Sequence, residues 1–184
     1  MLISSNKIKH SLLTLTAVLI STISPWNSAN SATFGQKEVE QSNFIAVAMP
    51  LNVDRYQLLI LEQISNQEAC WIEHDNRPTQ VEPLLLNFDF TGICGRSTDT
   101  NGYSIRKSGE DLGLQYNIDI VKERDELLLL ATPVPNPDAT PMLIGRTNGI
   151  TDGFVKINLE PGWRFTKRTY KDKTLGHIYL TNDN

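Results

Sequence analysis

The sequence is short of the residues that most chemistry needs. Only two of its 184 residues are cysteine and three are histidine. No C-x-x-C spacing occurs, which argues against a redox-active thiol pair. No G-x-S-x-G elbow is present, so the usual serine-hydrolase turn is missing. Beyond the N-terminal segment the histidines are His74 and His177, far apart and too few for a zinc site of three or four ligands. No cofactor or metal is therefore expected. Basic runs are also absent. Without Lys7 and Lys9, 15 basic residues face 21 acidic ones, a net charge of −6. That balance excludes nucleic acid and an anionic membrane surface as natural partners. Helical periodicity is almost absent, save for a weak helical expectation over Thr33 to Asn43.

The longest apolar run, Ser11 to Ser24, is shorter than the roughly 20 residues of a membrane span. It follows Lys7 and Lys9 and precedes the small residues Asn27 to Ala32, the layout of a secretory signal peptide. Cleavage after Ser31 places Ala29 and Ser31 at the small-residue positions, with Ala32 as the neighbouring alternative. An uncleaved anchor is disfavoured because no charged stop-transfer flank follows. The expected organisation is a signal peptide over 1–31 and one secreted domain over 32–184. No cysteine precedes Cys70, so lipid attachment to an N-terminal cysteine is excluded. In an exported chain, an even cysteine count predicts a Cys70–Cys94 disulfide. Closing that loop of 25 residues stabilises the fold by about 3–4 kcal/mol on the chain-entropy model.

The remaining patterns are those of strands. Phe44 to Met49 and Tyr56 to Ile60 are short apolar runs rich in strand formers. Leu84 to Phe90 alternates, with Leu86, Phe88 and Phe90 on one face. Leu112, Leu114, Tyr116, Ile118 and Ile120 alternate with polar residues. Lys122 to Asp125 then turns into Glu126 to Thr132, predicting an antiparallel hairpin. Further strands are expected at Met142 to Gly145, Phe154 to Leu159, Trp163 to Tyr170 and Thr174 to Leu180. Glu160-Pro161-Gly162 and Lys171-Asp172-Lys173 supply the turns between the last three. Four prolines make Thr132 to Pro141 a surface loop. These features predict a mainly β domain, a single antiparallel sandwich or barrel-like fold.

Gly95 to Tyr103 echoes Gly145 to Phe154: Gly-Arg, a polar turn, a glycine, then an aromatic that opens a strand. Shared turn chemistry accounts for this. A duplication of two β-halves is the alternative, and requires matching turn geometry.

Four segments carry a family resemblance. They are Ala32 to Pro50 (ATFGQKEVEQSNFIAVAMP), Tyr56 to Gln63 (YQLLILEQ), Pro83 to Arg106 (PLLLNFDFTGICGRSTDTNGYSIR) and Pro161 to Asp183 (PGWRFTKRTYKDKTLGHIYLTND). The chain resembles a group of secreted cyanobacterial proteins catalogued only as a domain of unknown function. The resemblance covers essentially the whole mature chain. It implies a bacterial exported domain and carries over no catalytic or binding residue.

Candidate chemistry therefore rests on the residues alone. His74 lies in a polar stretch with loop composition. His177 lies in a strand, on a face with Leu175 and Tyr179, where packing is the simpler role. Glu62, Glu73, Asp89, Asp99 and Asp111 lie in or beside apolar strands, and two of them could converge as an acid and base. Asp99-Thr100-Asn101-Gly102 has the ligands of a calcium turn but lacks the closing Glu of an EF-hand. Asn-Gly is also a strong hairpin signal. Trp71, Tyr103, Trp163 and Tyr170, with Arg96, Arg106, Arg146 and Arg164, are the ring-and-donor set that sugar binding requires. Trp71 alternatively packs over the disulfide, and Trp163 caps the core. The leading expectation is a secreted, non-catalytic envelope or extracellular-matrix module. Its partner is an envelope polysaccharide or a surface protein, bound through Arg96, Asn101, Tyr103, Arg146 and Trp163. A small secreted hydrolase using a carboxylate pair is the alternative, and a structural component of a surface assembly is a third. No separate wall-anchor domain is visible.

Overall fold

Two runs that are apolar at nearly every position become the centre of the molecule. In a computed structural model, which describes residues 34–52, 54–74, 77–136 and 138–184, both are strands buried on their two faces. A strand covered on both sides has no need to alternate, so its sequence reads as a continuous apolar run. The chain divides into Met1–Ser31 and Ala32–Asn184. The segment read as a signal peptide lies outside the described residues.

In chain order the strands are β1 (Gly35–Glu38), β2 (Phe44–Asn52), β3 (Arg55–Gln63), β4 (Trp71–His74), β5 (Gln80–Pro83), β6 (Cys94–Ser97) and β7 (Tyr103–Lys107). They continue with β8 (Glu110–Asp111), β9 (Tyr116–Glu123), β10 (Glu126–Pro133), β11 (Met142–Arg146), β12 (Val155–Leu159), β13 (Arg164–Tyr170) and β14 (Lys173–Asn182). The smaller sheet has the order β1-β13-β14-β7-β8. The larger runs β6-β3-β2-β12-β11-β10-β9, and β5 ties the β4–β5 hairpin to β12. The larger sheet curls into a half-barrel until β9 lies against β3 without a ladder between them. All pairings are antiparallel except β14 with β7, which is parallel.

Two apolar cores result. The first lies between the sheets and holds Ala46, Ile60, Ile105, Leu127, Leu129, Ile144, Ile178 and Leu180, among others. The second lies on the other face of β2 and β3, where Ile45, Val47, Leu59 and Leu61 meet Val81, Leu85, Cys70 and Cys94. The disulfide between those cysteines is formed, with Cα atoms 5.7 Å apart. The hairpin turns follow the sequence. Lys171 (φ 46°) and Asp172 (φ 64°) form a two-residue tip, as does the Arg124–Asp125 pair between β9 and β10. Gly162 (φ 90°) closes the Glu160 turn, with Trp163 N–H donating to the Glu160 carbonyl.

Several expectations are corrected. Leu84 to Phe90 is a loop, not a strand. Its polar groups close locally: Asn87 N–H donates to the Leu84 carbonyl and Thr91 N–H to Asp89 Oδ1. Phe88 and Phe90 do pack on the second core, but Leu86 is 75% exposed and Leu85 is buried in its place. Leu114 is 97% exposed, because a turn closed by Gln115 N–H on the Leu112 carbonyl interrupts the run before β9. Of the helix expected over Thr33 to Asn43, Thr33 lies outside the described residues, and the rest is instead β1 and a three-residue 3-10 turn, Gln41–Asn43. His74 ends β4 rather than sitting in a loop. The proline-rich loop starts two residues late, since β10 runs to Pro133 at its edge with β9.

The Gly-Arg echo is not a duplication. Asn148 (φ 57°) and Gly149 (φ 142°) turn in the left-handed region, and nothing between Thr98 and Gly102 does so. β6 and β7 belong to different sheets, while β11 and β12 pair with each other.

Candidate functional site

The five expected binding residues do not form one face. Tyr103 is 5% exposed and sits in the inter-sheet core. Burial, helped by the charges of Asp99 and Asp119, pushes its phenol up to about 12. Trp163 is half-buried against the same core. Arg146 is held by Glu160 at 2.5 Å and Glu126 at 3.2 Å. Asn101 is exposed, and its backbone carbonyl takes the Nδ1 of His177 at 2.8 Å. Arg96 is exposed on β6, the edge of the larger sheet and four strands away from Arg146 on β11. The other rings and arginines are likewise engaged. Trp71 packs on the second core and donates to Glu73, Tyr170 lies against Phe34, and Arg164 pairs with Glu38 and Asp183.

The carboxylates named for acid–base work each have a separate partner. Glu62 pairs with Lys167 at 2.6 Å and Glu73 with Lys156 at 2.7 Å. Asp89 accepts the Thr91 N–H, which holds its pKa below the ordinary carboxylate value. Asp99 Oδ1 accepts the N–H groups of Asn101 and Gly102, so that carboxylate caps its own turn. Among the described residues no group of three or more His, Cys, Asp or Glu gathers to hold a metal.

Asp111 belongs to a polar network on the outer face of the smaller sheet. Tyr179 donates to Asp111 Oδ2 at 2.8 Å, and Arg168 reaches the same oxygen at 2.7 Å. Arg168 Nε also donates to the Tyr179 hydroxyl, and its guanidinium lies 4.9 Å from the centre of that ring. Burial pushes the Asp111 pKa up. The hydrogen bonds from Tyr179 and Gly113 and the charge of Arg168 outweigh it and hold the carboxyl below its usual value. Ser104 Oγ lies 2.8 Å from His177 Nε2 and accepts from Arg168 at 3.3 Å. Arg106, 9% exposed, donates to the carbonyls of Phe34 and Gly109. Phe34 precedes β1, yet its carbonyl meets an arginine on β7, two strands beyond β13. The Arg106 side chain therefore reaches across this face to the residue that precedes β1. Ser104 and His177 are both buried. Apart from the Nε of Arg106, which is buried without a hydrogen-bond partner among the described residues, the groups of this network satisfy one another, which is the arrangement of a structural polar layer.

A cleft opens instead beside the second core, where the disulfide loop leaves part of β2 and β3 uncovered. It has a volume of about 270 Å³. Met49, Leu59, Pro83, Leu85, Leu86 and Phe154 make its walls. Gln57, Thr98 and Arg96 supply its polar rim. Gln57 Nε2 is already bonded to the Thr98 carbonyl, whereas the Arg96 guanidinium has no hydrogen bond or ion pair among the described residues. Pro83 and Phe154 also line an adjoining groove of about 690 Å³, which carries His74, Glu82 and Asp152. His74 Nε2 stands 3.5 Å from Glu82.

The family model described as a protein of unknown function, DUF3747, matches residues 11–184. The chain belongs to the DUF3747 family. No curated protein and no solved structure matches it. Of the residues proposed from sequence for this DUF3747 chain, only Arg96 borders the cleft. The walls were missed because Leu84 to Phe90 has a strand-like alternation and Met49 and Leu59 sit in uniformly apolar runs. The one available signal was Leu86, an apolar residue in a loop closed by cysteines.

Proposed function

We propose that this DUF3747 protein is exported and acts as a non-catalytic module of a cyanobacterial envelope or extracellular matrix. Residues 1–31 are removed on export, and a protein partner is held in the cleft beside Arg96. Export is supported by the signal-like N-terminus and by a disulfide, which persists in oxidising compartments. Among the described residues, no helix is long and apolar enough to cross a membrane.

The composition of the cleft carries the choice of partner. Sugar recognition needs flat rings flanked by several donors. This cleft has one half-buried ring, Phe154, and five aliphatic, thioether or proline walls. Its volume of about 270 Å³ lies below the roughly 300–1,000 Å³ of small-molecule pockets, so it suits a side-chain anchor. Leu86 is 75% exposed at its lip, and covering a leucine contributes about 2 kcal/mol.

The test separates protein from glycan. The oxidised protein is incubated with purified envelope polysaccharide, with peptidoglycan and with an envelope protein fraction. The expected result is saturable retention by the protein fraction, lost in Leu86→Asp and kept in Leu114→Asp, the same change at an exposed turn elsewhere. Retention on polysaccharide or peptidoglycan that Leu86→Asp leaves intact would overturn the proposal, as would retention on nothing.

A further inference from the structure

The partner-binding reading can be deepened to a ligand class. We infer that the cleft takes the C-terminus of a partner chain, with its last apolar side chain between the walls and its terminal carboxylate on Arg96.

Among the described residues, Arg96 is the only charged one lining the cleft. It is also uncommitted, whereas Arg146, Arg164 and Arg168 are each held by a carboxylate. A guanidinium presents a planar fork of donors that matches a carboxylate in two-point contact. The chain as a whole is acidic, so a polyanionic partner is repelled at long range while one carboxylate beside one arginine is not. The anion must also lie close to the apolar anchor, because Arg96 stands on the rim of the cleft. At a chain terminus the carboxylate and the anchoring side chain belong to one residue, which meets that requirement without any intervening segment. The cleft volume of about 270 Å³ has room for that one side chain and little more. Arg96 lies on β6, whose outer edge has no strand paired to it among the described residues, so an arriving chain meets no neighbouring ladder there.

Fluorescence anisotropy with dye-labelled hexapeptides tests this on the oxidised protein. The probes are a neutral peptide ending in Leu with a free carboxylate, its C-terminal amide, and the free acid ending in Ala. The free-acid Leu peptide is expected to bind saturably, with the amide at least about tenfold weaker. The Ala peptide should also be weaker, since it lacks the anchor. Arg96→Gln should reduce the free acid to the level of the amide and leave the amide unchanged. Arg96→Lys should recover part of the difference, as it keeps the charge but not the fork. Equal binding of acid and amide, both lost in Leu86→Asp, would overturn the carboxylate contact and leave the partner cleft standing. Failure of every peptide to bind would overturn the inference, and the retention experiment above then decides the broader reading.

Discussion

A neutral imidazole buried between a hydroxyl and a carbonyl makes the fold sensitive to acid. The Asn101 carbonyl can only accept, so His177 carries its proton on Nδ1 and its Nε2 accepts from Ser104. Burial lowers the His177 pKa, and Arg168 acts in the same direction. The Asn101 carbonyl and Asp111 oppose them without prevailing. The other groups on this face are Tyr179, which meets the imidazole edge-on, and Arg106. Because the folded pKa lies below the unfolded one, this site carries no penalty above the unfolded value of about 6.5. Stability then falls as pH drops from there towards the folded pKa, and the loss levels off below it. The urea midpoint of the wild type should therefore drop more between pH 7.5 and 5.5 than that of His177→Gln. Equal drops would show that His177 does not carry the dependence. The sequence placed His177 on a strand beside Leu175 and Tyr179, and that holds. It gave no sign of Ser104, which lies 73 residues away.

At the scale of elements, the segment from Cys70 to Cys94 carries β4 and β5 and supplies part of both the second core and the cleft. Leu85, Phe88, Phe90 and Ile93 pack from it onto the outer faces of β2 and β3. The disulfide holds its two ends. Replacing both cysteines by Ala should lower stability by about 3–4 kcal/mol in urea denaturation, the chain-entropy value for a loop of this length. A loss under about 1 kcal/mol would mean that the apolar contacts alone keep the loop in place. The cysteine pairing was legible because two cysteines leave one solution. The path of the loop was not. Period-two alternation marks a half-buried strand only when neighbouring strands complete it, and here the Leu84–Asn87 and Asp89–Thr91 turns satisfy the backbone locally.

For the whole molecule, the joint between the sheets matters more than the charges on its surface. Glu62 on β3 and Lys167 on β13 pair across that joint with side chains 14% and 16% exposed. The Lys167 ammonium also lies 5.9 Å from the centre of the Phe44 ring, which stacks on Phe165. The Lys122–Asp54 pair is just as short, but its side chains are 41% and 63% exposed. Removing one partner of a largely buried pair strands the other charge, whereas exposed pairs contribute little. Glu62→Gln should therefore lower stability by about 2 kcal/mol and Asp54→Asn by less than about 0.5 kcal/mol, both read by chemical denaturation. Comparable losses would mean that the sheet joint does not desolvate its ion pair.

The sequence by itself determined the all-β class, the β9–β10 and β13–β14 hairpins, the turn at Gly162 and the disulfide. Each follows from interactions within a few residues or from an unambiguous count. Only the tertiary structure decided that β2 and β3 are covered on both faces, that β14 and β7 run parallel, and that Leu85 rather than Leu86 is buried. It alone joined Asp111 to Arg168, 57 residues apart, and left Arg96 free beside an apolar cleft. The physical reason is common to these cases. Local alternation reports that one side of a strand is apolar. Which surface covers that side, and which charge is left without a partner, depends on segments far along the chain.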